Sequence, residues 1–441
     1  MAFCLKRKET SLSSSVQQRL YVGANAMRHI DDFAETVTSV CYRAYDDLPK
    51  TGKPSRGCEW TLLSAVLLQD VNQATLQIVS FATGTKSIPT GLACRLGNQV
   101  IDNHAEVLAR RCFLRFAYSE LLKLACGEDS SVFETTGSSV FECRLKPGLR
   151  IHFFSSHTPC GDASIFPKNG DVLSVAALED TENDATASKR PRLDPEDIYR
   201  TGAKCVPGTA QDKKLPGADY HQLGVARTKP GRGATSLSMS CSDKMAKWHS
   251  CGLEGALLSH FLAGEEPLRL SSVIVAGCPY SEDAMKRALH ERLSVSDDVP
   301  PIEFHYSTKM FCHSRLKAVE NNTDSAVPCA SSIMWWLGSD KAVYVGVNGY
   351  KQGITRKNLC KPVARLPVCR RELFGLFHKL MHEISPDRLP KILREDDLRT
   401  YAQFKQAAKV YQNRKVDFHA RLPGWTDKSP DLQNFTIAES V

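Results

Sequence analysis

Residues 104–125 read HAEVLARRCFLRFAYSELLKLA, and this stretch sets the fold class. Its apolar residues recur at helical spacing, with Val107, Leu108, Phe113, Leu114 and Leu121 on one face, so the pattern predicts a long amphipathic helix. His104 and Glu106 stand at its start, where a helix N-terminus favours negative charge. Upstream, TLLSAVLL (61–68) and ATLQIVSFAT (74–83) read as two strands around the polar turn QDVNQ, and the segment from Asp31 to Leu48 reads as a helix behind an acidic start. Downstream, LRIHFFSS (149–156) is a strand that runs into the turn HTPCGD. SSVIVAG (271–277) is a buried strand, with a helix in the residues after it. SIMWWLG (332–338) and AVYVGVNG (342–349) alternate like the arms of a hairpin. The C-terminal stretches 372–384 and 394–422 are helical. Strands alternating with helices give an α/β fold with a helical C-terminal cap.

The chain has 441 residues, 42% apolar and 24% charged, as in ordinary globular proteins. Collagen-like, coiled-coil and wholly disordered readings are excluded, and no apolar run approaches the length of a membrane span. The first residues, MAFCLKRKETSLSSS, lack the apolar core of a secretory signal. Residues 1–30 are expected to be disordered and residues 31–441 to form one domain. That domain carries a mobile insertion at about 167–222, where EDTENDATASKRPRLDPED is poor in large apolar residues. The KRPR run inside it is a candidate nuclear address. The 16 cysteines include no Cys-x-x-Cys pair, which argues against a disulfide scaffold and for a reducing, intracellular setting, nucleus or cytoplasm. The net charge is +8, and from Lys351 to the end 18 basic residues face 10 acidic ones. The last fifth therefore carries the whole excess, which suggests a polyanion: nucleic acid, a phosphorylated ligand or a membrane surface.

His104, Glu106 and Cys160 together suggest zinc hydrolysis. A metal bound by an imidazole and thiolates acidifies a water, and a nearby carboxylate that is not a ligand moves its proton. A third protein ligand is needed, because Ala163 stands where a Pro-Cys-x-x-Cys pattern would place a second cysteine. Cys241 and Cys251 are both available in the segment 239–251, and His157 reads as a loop residue near the substrate.

Taken together, TGTK (83–86), HAEVLARR (104–111), PCGDASIF (159–166), SCSDKMAKW (240–248), GLEGALLSHF (252–261), YAQFKQAAKVYQNRK (401–415) and PGWTDK (423–428) resemble the adenosine deaminases that act on RNA. That family includes duplex-RNA editors and a tRNA-specific branch. The resemblance implies a cytidine-deaminase-like mixed sheet between helices, with the C-terminal extension enclosing a polyanion. It implies zinc on His104, Cys160 and Cys241, with Glu106 as the catalytic proton shuttle, and so selects Cys241 over Cys251. It also implies inositol hexakisphosphate held by Arg110, Arg111, Lys244, Lys247, Trp248, Tyr401, Lys405, Tyr411, Lys415, Trp425 and Lys428, with Asp102 linking Lys244 to the metal site. On a helical wheel, Tyr401, Lys405, Tyr411 and Lys415 share one face of a helix beginning near Leu398. The chain departs from the family pattern at Ile101, Glu254 and Ala256, and Lys247 stands in place of an arginine.

The segment between Gly224 and Ser240 is short, basic and without a carboxylate, unlike the loop of the duplex editors. Too few residues precede the first helix for a duplex-RNA-binding module. Both features point to the tRNA branch, hence to conversion of adenosine to inosine 3′ of the anticodon of alanine tRNA. The alternatives are the catalytic domain of a duplex editor or a catalytically silent RNA-binding relative. Thr85, Lys86, Arg227, Lys229 and Arg232 are the candidate RNA-facing residues. No membrane association and no obligate protein partner are expected.

Overall fold

The structure is a computed structural model. It describes residues 21–23, 32–168, 198–229 apart from 214 and 216, 238–293 apart from 265, 299–320, 326–394 and 397–437. The KRPR run and Arg232 lie outside the described residues, as does most of the expected N-terminal disordered segment.

The framework is a mixed sheet of nine strands. Its members are β1 (Tyr21–Val22), β2 (Leu63–Asp70), β3 (Thr75–Thr83), β6 (Leu149–Ser155), β7 (Ser272–Ala276), β8 (Glu303–Ser307), β9 (Ser331–Trp336), β10 (Tyr344–Val347) and β11 (Tyr350–Lys351). Outside it, β4 (Thr85–Ser87) pairs with β5 (Asp102–His104). The sheet order is β8-β7-β6-β2-β3-β9-β10-β11. β6, β7 and β8 are mutually parallel and the remaining neighbours antiparallel. β1 pairs with Leu76 and Gln77 of β3, so part of the segment expected to be disordered is a sheet strand.

Alternation along β2 sorts its side chains into two cores. Leu63, Ala65 and Leu67 face α1 (Phe33–Asp46), while Val66 and Leu68 face α2 (Ala105–Ala125). Burial of both faces is why these strands read as near-continuous apolar runs. Asp32 caps α1 by accepting from the Glu35 amide at 3.1 Å.

α2 is not the surface amphipathic helix that its sequence pattern suggests. None of its residues is exposed, because β2, β3 and β9 cover one side and α5 (Arg370–Glu383) packs on another. Its arginines are therefore interior groups. The C-terminal region is helical, but as two helices rather than one. α6 (Tyr401–Ala407) and α7 (Lys409–Arg421) meet at Ala408, whose ψ of 69° breaks the helical path. Thr400 and Gln403 form a capping box at the start of α6, which satisfies two amides that would otherwise lack partners.

The expected insertion is partly built into the fold. Ile198–Tyr199 pairs with Phe166–Pro167, and Lys204–Cys205 with Arg227–Thr228. Among the described residues no helix is long and apolar enough to cross a membrane.

Candidate active site

Two helix starts and one loop converge at the site. His104 ends β5 and is the N-cap of α2, which places Glu106 in that helix's first turn. Cys160 follows β6 in the Thr158–Asp162 turn. Cys241 is the first residue of α3 (Cys241–Cys251), which packs on α4 (Glu282–Leu289) and whose N-cap Ser240 accepts from the Asp243 amide. The Cys160 and Cys241 segments touch: the Cys241 amide donates to Cys160 Sγ at 3.3 Å and the Ser242 amide to the Cys160 carbonyl at 3.0 Å. Gly161 makes this approach possible. Its φ is +111°, and a Cβ there would lie 2.2 Å from Ser240 Oγ.

The two thiols share a hydrogen bond that brings Cys160 down to about 6, helped by Lys229 and His104 against the cost of burial. Burial, together with that same bond, keeps Cys241 above the ordinary range. The Asp102 carboxylate organises the other side. It lies 2.8 Å from His104 Nδ1, receives Lys229 Nζ at 2.9 Å and pairs with Lys244. Burial alone would raise its pKa, but Lys229, Lys244 and His104 hold it well below the usual carboxylate range. A carboxylate on Nδ1 fixes an imidazole tautomer and leaves Nε2 as a donor atom for a metal. Glu106 is 1% exposed, and its Oε2 has no hydrogen-bond partner among the described residues.

Among the described residues no group of three or more His, Cys, Asp or Glu side chains is spaced to hold a metal as it stands. The chemistry of the donor set still fits zinc: two adjacent sulfurs, an oriented imidazole and a carboxylate left over. Cys251 takes no part in this grouping. It lies at the far end of α3, with Sγ directed to the Arg414 carbonyl at 3.5 Å. His157 is held by the Thr158 carbonyl at 2.9 Å, close enough for Glu106 to act on its charge.

Behind this site lies a cavity of about 490 Å³. Arg110, Arg111, Lys244, Lys247, Trp248, Tyr401, Lys405, Tyr411, Lys415, Trp425 and Lys428 all line it. The break at Ala408 does not disperse the stripe, since both helices contribute to the wall. Sequence reasoning missed Arg370, which also lines the cavity and donates to the Leu432 carbonyl at 3.0 Å. A signal for it existed: Arg370 and Arg371 open α5, where the helix dipole disfavours cations.

Among the described residues, eight Lys or Arg side chains thus face two carboxylates, Glu254 and Asp427. Asp427 pairs with Lys415 at 3.3 Å. Glu254 does not point a repelling charge at a ligand: its Oε2 accepts from the Leu268 amide at 3.0 Å, its Oε1 lies 3.7 Å from Arg414, and burial raises it to about 7. The remaining cations are undercompensated. Burial, then neighbouring positive charge, brings both Lys405 and Lys247 down to about 7 and Lys428 well below its ordinary value. Arg111 Nη2 has no partner among the described residues. Buried charge of one sign calls for a counter-ion, so the residues present fit a compact polyanion.

Two of the candidate RNA-facing residues are interior. Arg227 is 1% exposed and makes two bonds to Asp212, at 2.6 and 3.0 Å. Lys229 is 2% exposed and lies 3.1 Å from Cys241 Sγ as well as against Asp102. Burial opposes its charge, yet Asp102 and then Cys241 raise its pKa above the ordinary lysine range. Both cations are used up by internal partners, so neither faces RNA. Thr85 and Lys86 line an open groove that reaches His104.

A family model described as the adenosine-deaminase (editase) domain matches residues 80–429. The chain is 35% identical to the tRNA-specific adenosine deaminase 1 of Mus musculus, over 91% of this chain and 99% of that protein. It is 34% identical to the Homo sapiens protein of the same name, with the same coverage. It is 26% identical to the double-stranded RNA-specific editase Adar of Drosophila melanogaster, over 92% of this chain and 55% of that protein. The family match takes in the site residues and the cavity wall from Val107 to Lys428, and on it the chain belongs to the adenosine-deaminase (editase) family of hydrolases.

Proposed function

We propose that the chain converts adenosine to inosine in tRNA, and that its target is the adenosine immediately 3′ of the anticodon of alanine tRNA. The observation that carries the chemistry is the buried Glu106 carboxylate with a free oxygen, set beside an oriented imidazole and a thiol pair. The higher identity to proteins named for tRNA than to the duplex editor supports the substrate. An anticodon loop presents bases that are already partly unstacked, so extruding one costs less than from a duplex.

His104, Cys160 and Cys241 would hold zinc. When bound, zinc supplies acidification of a water at neutral pH. Glu106 would accept a proton at Oε2 and deliver it to the departing amine, a role suited to a buried carboxylate oxygen with no hydrogen-bond partner among the described residues. Asp102 keeps the His104 ring oriented, and Lys229 holds the Cys241 sulfur. Inositol hexakisphosphate is the polyanion proposed for the cavity, where Arg110, Arg111, Arg370, Lys405 and Lys428 would meet its phosphates.

The test is to incubate the protein with an alanine-tRNA transcript and, separately, with a long RNA duplex. Each is then digested and inosine is quantified by chromatography and mass spectrometry, with Glu106→Ala as the blank. Inosine at the position 3′ of the anticodon and none in the duplex is the expected result. Inosine in the duplex alone would overturn the substrate assignment, and none in either RNA would overturn the activity.

A further inference from the structure

We propose that the groove between β4 and the β10–β11 hairpin is a phosphodiester subsite whose far wall, Lys351 and Arg356, grips the RNA strand flanking the reacting adenosine. This rests on the reading of the chain as an RNA deaminase and adds residues that neither the motifs nor the family match singled out.

The groove encloses about 1050 Å³, and His104 lies on its lining. That is at the upper end of the roughly 300–1,000 Å³ of sites that take a single small ligand, so there is room beyond the reacting nucleoside. Lys86 stands on the near wall, and Lys351 and Arg356 on the far one. Among the described residues no Asp or Glu lines it, and none of these three cations forms an ion pair. Residues 341–361 contain five Lys or Arg and no Asp or Glu, whereas an ordinary solvated face mixes both signs. Apolar side chains lie between the charges. Leu92 is 73% exposed and Leu359 39% exposed at the rim, offering faces for bases and riboses. Alternating cations and apolar faces along an open channel match a single nucleic-acid strand better than a peptide or a small anion.

The far wall is rigid and fastened to the catalytic strand. Asn348 and Gly349 both have positive φ, 51° and 77°, the backbone of a tight two-residue hairpin turn. A Cβ on Gly349 would lie 2.1 Å from the Val100 carbonyl oxygen. The Val100 amide donates to the Gly349 carbonyl at 3.0 Å, and Gln99 Nε2 to the Asn348 carbonyl at 2.9 Å. Asp102 and His104 follow at once in the chain. A strand gripped at Lys351 is therefore held at a fixed offset from the reacting atoms, the preorganisation that lowers the cost of binding.

The experiment compares full-length wild type with the pair Lys351→Gln/Arg356→Gln and with a control pair of equal charge change, Lys391→Gln/Lys409→Gln, at exposed positions outside the groove. Affinity for the tRNA transcript is measured by fluorescence anisotropy across salt concentrations, and single-turnover inosine formation at saturating tRNA. The groove pair should bind roughly tenfold more weakly near 0.1 M salt. The slope of log affinity against log salt should fall by roughly 1.4 to 1.8, as expected for two lost phosphate contacts. The saturated rate and the melting temperature should stay near wild type. A groove pair that matches the control pair while wild type makes inosine in tRNA would overturn the subsite alone. Wild type that makes no inosine in any RNA would overturn the functional reading and the subsite with it.

Discussion

Refolding the denatured chain with and without inositol hexakisphosphate, at several pH values, tests the charge economy of the cavity. Lys405 and Lys247 each fall from an ordinary 10.5 to about 7, through burial and neighbouring cations. Between pH 7 and 10.5 the unfolded chain therefore binds more protons than the anion-free fold, so the stability of that fold rises with pH through this window. Below pH 7 both states are protonated and the full cost remains. At about 1.4 kcal/mol for each tenfold change, that cost is roughly 5 kcal/mol per lysine, against a net stability of roughly 5–15 kcal/mol for a typical domain. Without the polyanion, soluble recovery should be poor at pH 7 and improve toward pH 9.5; with it, recovery should be high and nearly flat. Lys405→Met sharpens the test because its two effects have opposite sign. It should raise the melting temperature of the anion-free protein at pH 7 and shrink the increase that the polyanion gives. Equal recovery of anion-free wild type at pH 7 and 9.5, or an anion-free Lys405→Met protein that melts below wild type, would refute the reasoning.

Glu106→Gln should keep metal content and tRNA affinity while single-turnover deamination falls by roughly 10²–10⁴-fold; a variant retaining a tenth of the rate would remove Glu106 from the proton path. Cys241→Ser should lower bound zinc measured by elemental analysis, and Cys251→Ser should leave it at the wild-type level; the reverse pattern would exchange their roles. Lys229→Met should destabilise the fold by about 3 kcal/mol, the scale of a broken buried ion pair, and lower the melting temperature without changing the salt slope of tRNA binding. A normal melting curve with weakened RNA binding would instead put Lys229 at the surface.

Much of this was legible in the sequence because the informative patterns are local. Alternation in 61–83, the apolar periodicity of 104–125 and the alternating arms 332–349 each fix an element within a few residues of its observed bounds. The candidate site residues are marked by local motifs, since His104 with Glu106 and Ser240 with Cys241 sit at helix starts and Pro159 with Cys160 in the turn after a strand. What failed was long-range. Lys229 and Arg227 look like surface charges in a short basic loop, and only the fold reveals Asp102 and Asp212 as their partners. The break at Ala408 has no Gly or Pro to announce it. Glu254 reads as a misplaced anion until Leu268 and Arg414 are seen beside it.

The cavity wall runs from Val107 to Gln433, and this spacing sets an order of events during synthesis. At roughly 5–20 residues per second, a ribosome that has just made Cys241 needs roughly 10–40 seconds more to reach Gln433. Throughout that interval the nascent chain carries the candidate metal-site residues and the cavity arginines Arg110 and Arg111, with most of the wall that encloses those arginines still missing. The cationic cavity cannot close until the last helices arrive. A premature stop near the C-terminus therefore removes more than a peripheral cap: it leaves the interior of the molecule without its closing wall.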